Sequence, residues 1–328
     1  MKPFSVEVII VAYNSGAYLQ ACIDALALQT LKDFKAVIVD NASTDKSVED
    51  LVKPDDRFTI IELDYNSGFA SANNLAISRS SADFVVLLNP DTVATQGWLE
   101  ALVNCAIRNP ALASVGSVQR RLDDPEVLDG LGDVWHVAGL AWRAREGRRA
   151  SGLIDDAEIF GPCAAGALYR RDLFIEFGGF DERFFCYCED VDLALRMRLA
   201  GYQSMRAGAA VLLHAGSGIT GRTSYFSLYY GHRNRIWTFL KNTPSSIFAA
   251  AVIYHIAFNL VYLLRAVFRG YFSSVWRAYR DAWVGRAPFL AERQDLKSRI
   301  TMGEYFRVSA WTPWSAVVRG VHPHGTES

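Results

Sequence analysis

The apolar positions of the first 120 residues fall into short unbroken runs separated by stretches of helical spacing. Residues 6–12 (VEVIIVA) form a β-branched run that predicts a strand, and the turn residues Asn14, Ser15 and Gly16 lead from it into a helix over 18–28. The same pattern predicts strands at 35–40 (KAVIVD), 58–62, 84–88 (FVVLL) and 113–118, with helices at 69–78 and 96–108 and a short one after Ser43-Thr44-Asp45. Strands that are apolar without alternation are covered on both faces, which predicts an α/β fold with a mostly parallel sheet between helices. Ligands of such sheets bind at the carboxyl ends of the strands.

The pattern weakens over 120–160, which is charged, carries glycines and includes RAREGRR at 143–149. A long functional or mobile loop is expected there. Beyond it, 167–169 reads as a strand, 171–177 as a short helix ended by Gly178-Gly179, and 209–214 (AAVLLH) as the last strand. Val191, Leu195 and Leu199 mark one face of a helix that stops at Gly201 and carries Glu189, Asp190 and Asp192 in its first turn, where acids suit the helix dipole.

Residues 247–268 are 22 long with Arg265 as the sole formal charge, enough to cross a bilayer. On a helical wheel, however, His255, Asn259, Tyr262, Arg265 and Arg269 share one arc. In the next segment Phe272, Trp276, Tyr279 and Trp283 share a face with Arg277 and Arg280 off it. Aromatics and arginines on amphipathic helices fit a membrane interface with anionic headgroups; the alternatives are packing on the rest of the chain or on a second copy as a homodimer, and a true span.

Charge sharpens this division. The formal charge is -1 and the pI about 6.6, which argues against a nucleic-acid partner. Yet residues 226–310 carry 12 Lys and Arg against 4 Asp and Glu, so the basic charge sits in the C-terminal quarter. Five cysteines without a C-x-x-C pair point to a reducing compartment and away from a zinc knot or disulfide framework. Cys186 and Cys188, two apart, would share a face in a strand and read as packing residues. The N-terminal apolar run is too short for a signal-peptide core, so export is not expected.

Polar clusters close three of the predicted strands: YNSG, Asp40-Asn41-Ala42-Ser43-Thr44-Asp45 and Asn89-Pro90-Asp91-Thr92. Each alone reads as a helix N-cap. Together, at the carboxyl ends of one sheet, they suit a cation and the polar groups of a nucleotide. No GxGxxG follows the first predicted strand and GxxxxGK[ST] is absent, so a diphosphate would be held through a metal, with Asp91 a suitable hard-oxygen ligand for Mg2+ or Mn2+.

The ordered set VIIVAYNSGAYL, VDNASTD, NSGFASANN, LLNPDT, GPCAAGALYRRDLF, GGFDERFFCYCEDVDLALR and HAGS resembles glycosyltransferase family 2, and in particular its rhamnosyltransferase-like branch, over about residues 5–242. The resemblance implies a GT-A type fold and inverting transfer from a nucleotide-sugar. It divides residues 1–242 into a nucleotide-binding part to about 119 and an acceptor-binding part after it, followed by a helical membrane-associating or dimerising region over 243–328. It implies that Asp40 reads the base, with Ala12, Tyr13 and Asn14 beside it, and that Asn66, Gly68 and Asn74 line the nucleotide. Asp91 matches the metal-binding acid of the family's D-x-D signature, with Asn89 in place of the first acid. His214 would complete the metal or diphosphate site, although alone it reads as a buried, satisfied histidine. Asp190 matches the general base. Gly166, Glu189, Asp192 and Arg233 fall on the acceptor or sugar side; for Asp192, holding a neighbouring arginine or backbone is expected instead of base chemistry.

The activity implied is transfer of L-rhamnose from dTDP-rhamnose to a glycan or polyprenyl-linked acceptor, in the cytoplasm at the inner face of the membrane. A UDP- or GDP-linked donor is the alternative. A nucleotidyltransferase fits less well, since YNSGAYL holds no basic residue for a triphosphate, and a non-catalytic glycan- or lipid-binding scaffold would not need the acidic set.

Overall fold

The computed structural model of the chain describes residues 4–216, 224–294 and 299–312. In chain order the N-terminal elements are β1 (Val6–Ala12), α1 (Tyr18–Ala27), β2 (Lys35–Asp40), β3 (Phe58–Glu62), α2 (Gly68–Arg79), β4 (Phe84–Leu88), β5 (Thr92–Ala94), α3 (Trp98–Arg108) and β6 (Leu112–Arg121). Strands β7 (Leu128–Gly130), β8 (Asp133–His136), β9 (Leu140–Arg143), β10 (Ala157–Ile159) and β11 (Gly166–Arg170) follow, then α4 (Arg171–Glu176), α5 (Glu189–Leu199) and β12 (Gln203–His214). Helices α6 (Tyr225–Asn242), α7 (Ser245–Arg269), α8 (Phe272–Val284), α9 (Arg286–Gln294) and α10 (Met302–Val308) complete it.

The main sheet has the order β10-β12-β6-β11-β4-β1-β2-β3. Strands β3, β2, β1 and β4 are mutually parallel, and β12 runs parallel to β6, while β11 is antiparallel to both β4 and β6. Register levels the strand ends: Ala12 opposes Asp40, and Asp40 opposes Glu62. Val8, Ile10 and Ala12 pack into one apolar cluster with Leu19, Ile23 and Trp98, while Ile9 and Val11 pack into another with Ala76, Val85 and Phe174. Both faces of β1 are therefore dry, which is why its run is apolar without alternation.

Three expectations are corrected. No regular helix follows Thr44: a single turn closes with the Asp50 N–H donating to the Lys46 carbonyl at 2.9 Å, and Pro54, which has no N–H to continue it, follows within four residues. Residues 120–160 are no loop but carry β7 to β10 over a core of Leu128, Leu131, Val134, Leu140 and Trp142. Charge hid this from the pattern: Arg120 is buried yet satisfied by the carbonyls of Pro125, Ala150 and Gly152. Strand β12 starts six residues earlier than its apolar run, at Gln203, since Ser204 and Arg206 are also buried with partners.

Helix α7 is the one described helix long and apolar enough to cross a membrane, but little of it is buried. His255 stacks on Phe239 at 4.0 Å and donates to the Ala138 carbonyl, and Asn259 accepts from Arg235 at 2.6 Å. Burial and the Arg235 charge push the His255 imidazole down to about 3, so it packs neutral. Its polar arc thus faces the protein through His255 and Asn259, while Arg265 and Arg269 stay exposed. The opposite ridge of Ile256, Leu260, Leu264 and Phe268 is exposed as well.

Candidate active site

Two adjoining hollows open at the carboxyl ends of β1, β2 and β4. One, of about 200 Å³, is bordered by Tyr13, Asn41, Asn66, Asp91 and His214. The other, of about 210 Å³, is bordered by Asp133, Trp142, Ala164, Glu189 and Asp190. Phe69, Asn89, Arg143, Cys186 and Tyr187 belong to both and form the wall between them.

Around the first hollow the strand-end residues lock loops together instead of capping helices: α1, α2 and α3 have no side-chain cap. Asn14, at φ 50°, accepts the Thr44 N–H at 2.7 Å and so ties the β1 turn to the β2 turn. Asp40, level with Ala12, accepts the Ser43 N–H at 2.9 Å, and Ala12, Asn14 and Asp40, expected beside the base, border neither hollow. Their neighbour Asn41, given no separate role by the sequence, does border it: it is buried, donates to Asn66 at 3.0 Å and accepts the Ser67 N–H at 2.8 Å. Asn66 in turn accepts the Gly68 N–H at 2.9 Å. Gly68 is required twice over: its φ is +85°, and a Cβ would lie 2.5 Å from the Phe185 ring.

Asn74 is elsewhere. Both ends of its amide are spent on Phe180, accepting its N–H at 2.9 Å and donating to its carbonyl at 2.8 Å, and it borders a separate groove with Glu62 and Glu182. Gly166 also borders neither hollow. It lies within the sheet opposite Leu88, where a Cβ would sit 2.4 Å from Leu212.

Between the hollows runs a buried chain of charges. Asp91 Oδ1 stands 3.3 Å from His214 Nε2, His214 Nδ1 stands 2.7 Å from Asp129 Oδ2, and Arg143 pairs with that same Asp129 carboxylate. Burial works against the imidazolium, but the carboxylates of Asp129 and Asp91 outweigh it, so the His214 pKa is raised. His214 is therefore buried and satisfied, yet satisfied by the acid expected to bind metal. The donor set suits a divalent cation, since a carboxylate oxygen of Asp91 and an imidazole nitrogen of His214 face each other 3.3 Å apart and would hold it. Asp129 orients the imidazole from behind, as second-layer carboxylates do at metal sites. Asn89 Oδ1, buried without a partner on the shared wall, offers a neutral oxygen. Among the described residues no group of three or more His, Cys, Asp or Glu side chains is arranged to hold a metal, so the diphosphate would have to supply oxygens.

In the second hollow Asp190 accepts the Ala164 N–H at 3.0 Å and the Val191 N–H at 2.9 Å. Burial raises its pKa, against those N–H groups and the Arg143 charge. The net direction is thus upward, opposite to the expected effect of the helix dipole, and it moves the carboxylate toward the range suited to a general base. Glu189 and Asp133, both buried, are pushed well above the carboxylate range by burial and by the Asp190 charge. Asp133 went unnoticed in sequence because its segment carries no recognisable pattern.

Two expected acceptor-side residues turn out to be structural. Asp192 is fully buried, bound by Arg196, Lys241 at 3.1 Å and Asn242 at 2.7 Å, in keeping with a residue that holds an arginine. Arg233 stacks over Trp237 at 4.2 Å and donates to the carbonyls of Arg183 and Phe184. Cys186 and Cys188 lie in no strand. Phe185, Tyr187 and Cys188 hold φ of 67°, 72° and 67°, a strained turn that forms the crevice wall. Asn234, fully buried on α6, pins it: its amide nitrogen lies 2.8 Å from the carbonyls of Phe184, Cys186 and Tyr187, which share its two N–H donors.

Comparison with known proteins agrees with this architecture. The family model described as "Glycosyl transferase family 2" matches residues 7–178, ending before Asp190 and His214. An N-acetylglucosaminyl-diphospho-decaprenol L-rhamnosyltransferase from Mycobacterium tuberculosis is 28% identical over 252 residues, covering 69% of this chain and 81% of that protein. The O-antigen chain rhamnosyltransferase RfbN of Salmonella typhimurium is 27% identical over 218 residues, covering 64% and 66%. Among solved structures, the Pyrobaculum calidifontis mannosyltransferase PcManGT in complex with GDP-Man and Mn2+ superposes with a TM-score of 0.51 at 18% identity, covering 92% of this chain and 82% of that one. GalNAc-T7 with UDP, GalNAc and Mn2+ gives 0.56 at 12% identity, over 72% of this chain and 48% of that one. A sheet of this order with its ligand hollows at the strand ends is a GT-A type fold, and with the family model matching more than half its length the chain belongs to glycosyltransferase family 2 and is a glycosyltransferase.

Proposed function

We propose that the protein transfers L-rhamnose from dTDP-rhamnose, with inversion, to a lipid-linked or polysaccharide acceptor. The carrying observation is that Asp190 opens into a hollow separated from the Asp91–His214 pair by one shared wall, which leaves a sugar room between a leaving diphosphate and a base. In this reading the nucleotide occupies the hollow of Tyr13 and Asn66, and Asp91, His214 and Asn89 hold Mg2+ or Mn2+. When bound, the cation neutralises the diphosphate. Asp190 takes the proton of the acceptor hydroxyl as its oxygen bonds to the sugar's C1, and the C1–O bond to the diphosphate breaks on the opposite face. Arg143 keeps Asp129 and His214 in line. The choice of rhamnose and of a lipid-linked acceptor is supported by the names of the mycobacterial and Salmonella relatives.

Asp190→Asn should lower transfer by about 10²- to 10⁴-fold while leaving dTDP binding within a factor of about two. Unchanged transfer would remove Asp190 as the base. In the same assay a UDP- or GDP-sugar outcompeting dTDP-rhamnose would replace the donor.

The catalytic domain would comprise residues 1–242, with 243–328 lying against the cytoplasmic face of the cell membrane. The exposed ridge of α7 and the exposed Trp276 and Trp283 of α8 support this, and residues 313–328 lie outside the described part. A plane-lying helix is favoured over a span because His255 and Asn259 are engaged by the protein.

A further inference from the structure

The second hollow contains more unpaired polarity than a base alone requires. Asp133 Oδ2, Glu189 Oε2 and Asn89 Oδ1 are all buried without a hydrogen-bond partner, and all three residues border this one space. A buried acceptor left unpaired loses its hydration without return. Three at one place imply that something else pairs them. The hollow's 210 Å³ is about seven times the ~30 Å³ of a liquid water, the scale of one monosaccharide ring. Beside Asp190 and Arg143 the rest of the lining is mostly apolar, with Phe69 and Trp142 presenting aromatic surface of the kind that packs on a sugar ring and a methyl group.

We propose that Asp133, with Glu189, reads the hydroxyls of the transferred sugar. The proposal rests on the glycosyltransferase reading of the crevice and adds the residues that recognise the sugar. Sugar hydroxyls would pair the open oxygens of Asp133 and Glu189, and Asn89 is left to the cation. Asp133 is the residue to test, because it is neither the base nor a candidate metal ligand. Its distance in sequence from Glu189 is bridged by the β8 strand, which pairs through Asp133 with Gly161 and so brings it beside the start of α5.

The test is calorimetric binding of dTDP and dTDP-L-rhamnose, with Mn2+, to wild type, Asp133→Asn and Glu189→Gln. The wild type should bind the nucleotide-sugar more tightly than dTDP. In Asp133→Asn, dTDP affinity should stay within a factor of about two while affinity for dTDP-rhamnose falls about three- to tenfold, the worth of a neutral hydrogen bond. Its melting temperature should stay near that of wild type, since Asp133 Oδ2 has no protein partner to lose. Should Asp133→Asn fail to fold, Glu189→Gln gives the same reading with the same expectation. The proposal is overturned if the sugar increment survives in the folded variants, or if dTDP and dTDP-rhamnose weaken together, which is the mark of a structural role. A wild type that binds no nucleotide would instead remove the function reading, and this proposal with it.

Discussion

At the scale of single residues, the crevice is built by amides as much as by acids. Asn14, Asn41, Asn66 and Asn234 each bridge backbone groups that have no regular secondary structure to pair with, which is the use an amide with both donors and acceptor is suited to. Asn234 has the heaviest task, since its two N–H groups, shared among three carbonyls, hold a turn with three non-glycine residues at positive φ, each costing on the order of 1–3 kcal/mol. Asn234→Ala should lower stability by about 2–4 kcal/mol in denaturant unfolding and reduce transfer by a larger factor than the loss of folded protein explains. A variant that melts normally and turns over normally would show that the turn holds itself.

At the scale of elements, α7 is turned with its neutral polar groups inward and its apolar ridge outward, the reverse of a helix on a water-facing domain. Leu264 and Phe268 are 61% and 87% exposed, so replacing both by Asp should leave the fold intact. If the ridge enters a bilayer, each side chain contributes about 2 kcal/mol, and binding to vesicles with phosphatidylglycerol should fall about a hundredfold or more, with transfer to a water-soluble acceptor retained. Equal vesicle binding by the double variant would exclude this ridge as the membrane contact. A concentration-dependent dimer lost in the variant would assign the ridge to self-association.

At the scale of the whole molecule, α6 joins the catalytic sheet to the C-terminal helices through a buried charge network. Lys241 reaches Asp181 at 2.7 Å and Asp192 at 3.1 Å, and Arg183 shares Asp181. Burial opposes ionisation of Asp181, but Arg183 and Lys241 outweigh it and hold its pKa down at about 2, against 3.8 for an ordinary aspartate. A carboxyl with a depressed folded pKa stabilises above the unfolded value and loses that contribution as pH falls through the folded one. Its share should be about 2 kcal/mol at pH 6 and vanish between about pH 4 and pH 2. Melting curves should therefore show Asp181→Asn less stable than wild type at pH 6, with the gap closing toward pH 2. A gap independent of pH would mean that the loss is steric.

The strands through residue 88 were legible to within a residue or so because both faces of the sheet are covered, and a covered strand must be apolar at every position. The acids and amides at their ends were legible too, because strand ends are where an open α/β sheet presents its ligands. Residues 120–160 were not, since their buried arginines and aspartates pair with partners far along the chain and leave no period to read. Asp133 and Arg143, which complete the two hollows, were lost with them. Asn74, Gly166 and Asp192 matched family motifs and Arg233 stood out as a charge beside the C-terminal helices, but neither signal names what a side chain touches. By itself the sequence determined the sheet, the family resemblance and the candidate acids, all of which follow from local pattern and order. Only the tertiary structure decided which polar groups face a shared cavity, because pairing and burial are settled by neighbours that sequence distance does not reveal.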